Sequence, residues 1–103
     1  MVQEKINKLS MMEQSLQQML AQKQQLSSQL MEVESALEEL EKTDSAYRIV
    51  GNIMIASDIG SLKDELKKKQ ELVKVRLKTV EKQEEKLRKD TQELQKEVMK
   101  EMK

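Results

Sequence analysis

From Leu9 to Leu40, apolar side chains return every three and then every four residues. Leu9, Met12, Leu16, Met19, Leu26, Leu30, Val33, Leu37 and Leu40 form the series, and Lys23 is its one polar member. That alternation keeps a single stripe on one side of an α-helix, and sustained over many turns it marks a coiled-coil seam. The pattern resumes after the middle of the chain. Leu66, Gln70, Val73, Leu77, Val80, Glu84, Leu87, Thr91, Leu94, Val98 and Glu101 follow the same spacing, with seven of the eleven apolar. The spacing predicts helices over 2–43 and 59–103, each about 60–65 Å long. A lone polar residue in a seam fixes register at a cost in stability, so Lys23→Leu is expected to stabilise the arm and loosen its register.

Between the helices the period breaks. Ala46–Ile55 (AYRIVGNIMI) sets β-branched and aromatic residues on either side of Gly51-Asn52. Gly accepts the positive φ of the first central position of a two-residue turn, which predicts a β-hairpin over 46–56. Gly51 and the β-branched Ile49, Val50, Ile53 and Ile55 argue against one continuous helix. The expected fold is therefore dominated by helix with a small β element. Two nearly equal arms form a long antiparallel coiled-coil helical hairpin joined by a single β-hairpin, as one domain over residues 1–103. Asp58 and Ser61 are alternative caps for the second helix, and Gly60 predicts an irregular start, since glycine inside a helix costs about 1 kcal/mol.

A two-stranded hairpin is marginal alone in water and leaves strand edges that invite another chain. Tyr47, Ile49, Val50, Gly51, Ile53, Met54 and Ile55 are accordingly the candidate oligomerisation residues. Five of the eight methionines lie near the chain ends, which an antiparallel pairing brings together at free tips. Methionine is flexible and polarizable and suits surfaces that adapt to many partners. Val2, Ile6, Met11, Met12, Val98, Met99 and Met102 are the candidate binding residues there.

Charge changes this picture little. Nineteen Lys and Arg balance nineteen Asp and Glu, but residues 1–60 carry a net −4 and residues 61–103 a net +4. Opposite signs favour pairing of the arms, at roughly 0–1 kcal/mol for each exposed pair. The basic half permits a nucleic-acid reading, yet its Lys and Arg alternate with Glu as on a solvated helix face, so no nucleic-acid partner is expected. The apolar runs are too short to span a bilayer and nothing at the N-terminus resembles a signal peptide, so a soluble cytoplasmic protein without a membrane partner is expected. The sequence has no His, no Cys and two glycines, which removes the commonest bases, nucleophiles, soft metal ligands and phosphate-cradling loops. No enzyme activity, cofactor or metal is expected.

Tyr47-Arg48-Ile49-Val50-Gly51-Asn52-Ile53-Met54-Ile55, followed by the acidic Asp58 and set between two heptad helices, resembles the beta-type subunits of the prefoldin chaperone family. The likeness covers essentially the whole chain; alpha-type subunits carry two hairpins, and this insert has room for one. The resemblance implies a hexamer of two alpha-type and four beta-type subunits, including copies of this chain, whose hairpins join into a β-barrel platform. It also implies ATP-independent binding of unfolded proteins at the coiled-coil tips and delivery to a group II chaperonin. The alternative is a structural coiled-coil adaptor that binds no client.

Overall fold

The computed structural model describes residues 1–102. Helix α1 spans Val2–Lys42, strand β1 Ala46–Val50, strand β2 Ile53–Ser57 and helix α2 Ile59–Met102. The helix end expected at residue 103 lies outside the described residues. The fold is the expected one: two long antiparallel helices with a single two-stranded hairpin between them. The chain packs as two compact units. One joins Met1–Gln25 to the segment from Leu77 onward, and the other is Leu26–Arg76.

In the first unit the seam is lined by Leu9, Met12, Leu16 and Met19 of α1 and by Leu77, Val80, Leu87, Leu94 and Val98 of α2. All of these are buried or half-buried, whereas most of the remaining positions are exposed. Thr91 is a polar member of this seam, only 5% exposed, and its hydroxyl donates to the Leu87 carbonyl at 2.7 Å. Bonding back to the preceding turn satisfies the hydroxyl and makes its burial tolerable. In the second unit Val33, Leu40 and Val73 are buried, and Leu26, Leu30, Leu37, Leu66 and Gln70 complete the line. Apart from Glu101, which is exposed, every position of the two spaced series falls in the seam.

The second unit also holds the chain reversal. Thr43 closes the exit from α1: its hydroxyl donates to the Ser45 carbonyl at 2.9 Å and accepts from the Ser45 amide. Strands β1 and β2 pair antiparallel, with Val50 opposite Ile53 and Tyr47 opposite Ala56. Gly51 has φ +62°, and among the described residues no non-glycine residue has positive φ. A positive φ at the first central position alone is the type II′ pattern, whose twist matches that of paired strands.

Helix α2 starts regularly, contrary to expectation. Asp58 is its cap: the Asp58 carboxylate accepts from the Ser61 amide at 3.0 Å and from the Ser61 hydroxyl at 3.1 Å, while its carbonyl accepts from the Leu62 amide at 3.0 Å. Gly60 therefore sits in the first turn. A Cβ there would lie 3.3 Å from the capping carboxylate oxygen, so glycine leaves the cap room. Asp58→Ala should lower stability by about 1 kcal/mol, the usual cost of losing a cap, and Asp58→Asn by much less. Urea denaturation followed by circular dichroism measures both; equal losses would assign the effect to charge at the helix start instead of to the cap.

Candidate functional site

The polar interruptions of the two seams meet. In the first unit Lys23 Nζ lies 3.7 Å from Glu84 Oε2, and Arg88 donates to Glu84 Oε1 at 3.0 Å. Glu84 is 8% exposed, and its Oε2 accepts no hydrogen bond, so what compensates that oxygen is the Coulombic attraction of Lys23. Sequence spacing marked Lys23 as an exception and Glu84 as another, but not as a pair, because every heptad slip gives an equivalent apolar seam. The pairing reverses the expectation for Lys23→Leu. Removing one member of a buried pair strands the other, and the solvent-accessible Lys23 and the remaining Arg88 reduce that penalty. Lys23→Leu should cost about 1 kcal/mol, and adding Glu84→Leu should recover it. Denaturation of the two single variants and the double variant checks this. A Lys23→Leu chain more stable than the parent would show that Arg88 alone satisfies Glu84.

Near the chain ends Lys5 reaches Glu101 at 2.6 Å and Glu97 at 3.6 Å. The hydrogen bond to Glu101 raises the Lys5 pKa above its ordinary value, and the same bond lowers that of Glu101. The signs follow from linkage. The contribution of Glu101 is present above the ordinary carboxylate range and is lost as pH falls through its lowered value; that of Lys5 is lost only as pH rises through its raised value. An NMR titration of the Glu101 carboxyl should move its midpoint upward in Lys5→Gln. An unmoved midpoint would show the bond to be absent in solution.

The candidate binding residues differ in exposure. Met11, Met99 and Met102 are 65–69% exposed and Ile6 is 36% exposed, whereas Val2 and Met12 are half-buried. Val98 is a correction: at 7% exposed it is a seam residue that packs between the helices and presents no surface. Beside this part of the seam runs an open groove of about 440 Å³, lined by Lys8, Met12, Leu87, Asp90, Glu93, Leu94 and Glu97. Periodicity did not reveal it, since its floor is made of seam residues whose flanking positions leave them uncovered.

The hairpin residues are brought together as expected. The register places Tyr47, Ile49, Met54 and Ala56 on one face and Arg48, Val50, Ile53 and Ile55 on the other. The six large apolar side chains are 49–70% exposed, so both faces are open. Arg48 forms an ion pair with Glu65 of α2, which ties β1 to the second helix. Tyr47 and Met54 line a groove of about 380 Å³ together with Ala36, Leu40, Leu62 and Leu66. Among the described residues no group of three or more acidic side chains could hold a metal ion, and no helix is long and apolar enough to cross a membrane.

A short hairpin with the large apolar side chains of both faces exposed is carried by two long helices whose own apolar series is turned inward. The family model described as Prefoldin subunit matches residues 3–103. A prefoldin subunit beta from Methanothrix thermoacetophila is 36% identical over 97 residues, which cover 91% of this chain and 81% of that protein. One from Archaeoglobus fulgidus is 37% identical over 90 residues, covering 84% and 78%. The crystal structure of the prefoldin beta subunit from Thermococcus strain KS-1 superposes with a TM-score of 0.87 at 32% identity, covering 96% of this chain and 90% of that one. The chain belongs to the prefoldin subunit family and is of its beta type. Its role is that of a prefoldin chaperone subunit, and prefoldin subunits assemble with one another into hetero-oligomers.

Proposed function

We propose that this chain works without ATP, holding unfolded polypeptide at the chain-end part of the coiled coil and passing it to a group II chaperonin in the cytoplasm. Assembly is with alpha-type subunits and further copies of itself, in a hexamer of two alpha-type and four beta-type subunits formed through the hairpins. The observation that carries the reading is exposed apolar surface of two kinds, besides Leu20, Met31, Leu72 and Val75, which are exposed along the helices. One set belongs to the hairpin, where unpaired edges and two open faces call for strands from other subunits. The other is Ile6, Met11, Met99 and Met102, single exposed side chains of mostly flexible type, which suit a partner without fixed geometry. Several such arms acting on one client raise the effective concentration of each weak contact. A structural adaptor would account for the hairpin and leave these methionines without a role.

Replacing Ile6, Met11, Met99 and Met102 by Ser should abolish suppression of client aggregation with oligomer mass and melting temperature nearly unchanged. Ile53→Asp with Ile55→Asp should do the converse, releasing small species that keep their helicity. Light scattering of a denatured test protein and sedimentation read the two outcomes. A Ser variant that still protects as the parent does would place client binding elsewhere.

A further inference from the structure

The seam of the first unit is not sealed evenly along its sides. Next to Asp90 and Glu93 it opens into the groove described above, with Met12, Leu87 and Leu94 as an apolar floor. Long Lys, Arg and Glu side chains normally lay their methylenes over such a seam. Asp90, with a single methylene, is too short to do so. The rim is unbalanced in charge, with Asp90, Glu93 and Glu97 against Lys8. Glu97 is partly engaged by Lys5, whereas Asp90, Glu93 and Lys8 join no ion pair among the described residues. The net negative rim therefore acts on whatever enters the groove.

An unfolded chain presents apolar side chains in every charge context. The floor has room for one of them, and the rim distinguishes contexts by the sign of the neighbouring residues. We propose that this groove is a client subsite for an apolar side chain flanked by Lys or Arg, an inference that rests on the client-binding reading above. Lys86, Lys89 and Lys96 of the same helix are exposed near the rim and form no ion pair with it among the described residues. Screening confines both fields to about 8–10 Å at ordinary salt, so the rim acts on the immediate neighbours of the inserted side chain.

The test uses the intact chain and two labelled unfolded peptides of identical apolar content, one flanked by lysines and one by glutamates. Fluorescence anisotropy at low salt should give about a three- to ten-fold preference for the lysine peptide, the range that one or two exposed pairs supply. The preference should fall at high salt. Asp90→Asn with Glu93→Gln should abolish it without loss of helicity, and Glu85→Gln, on the outward face, should leave it intact. Equal binding of the two peptides by the parent overturns the subsite and leaves general client binding standing. Binding of neither peptide, together with failure to suppress aggregation, overturns the client-binding reading itself. A preference that persists in the Asn and Gln variant, or a parent that self-associates through the rim and loses that mass in the variant, also overturns the proposal.

Discussion

Two helices lying side by side exclude water along one line only, and everything else in this chain depends on that line being continuous. The seam is one side chain deep. Its best buried members, Val73 and Val33, remain 2% and 3% exposed, and no described large side chain is buried completely. Stability must therefore come from repetition along the helices, since the described residues form no central cluster to supply it. That explains why the apolar series runs through nearly the whole of both arms, and why so few aromatic residues are needed.

A repeating seam holds two helices together but does not say which turn faces which. Lys23 and Glu84 supply that information, because sliding one helix by a heptad would leave a buried carboxylate facing an apolar side chain. A second constraint comes from the reversal. Three residues separate α1 from β1 and only Asp58 separates β2 from α2, so the linkers fix the starting offset and the cap fixes the direction in which α2 leaves. The hairpin between them keeps the large apolar side chains of both its faces exposed.

Most of this architecture was legible in the sequence because both of its periods are strong. The change from a 3.5-residue repeat to β-branched residues around Gly51 located the hairpin. What stayed hidden concerns sides and partners, not elements. Val98 stands in both sets by sequence, the spaced series and the apolar residues near the ends, and only its burial assigns it to the seam while Met99 is exposed. Gly60 reads as a helix breaker until Asp58 is seen to need the space above it. The groove beside Leu94 has no signature of its own, since an uncovered seam is a consequence of short flanking residues on one side.

The absence of a deep core also bears on how such a chain changes over time. In a globular domain each interior residue touches many others, and a substitution there commonly forces a second. Along a one-residue-deep seam each side chain answers to its few neighbours across the interface, and distant sites contribute independently. Substitutions can then accumulate one by one, provided the apolar spacing, the turn glycine and the cap persist. A shared architecture at 32% identity, with a TM-score of 0.87, is the kind of divergence such loosely coupled positions permit.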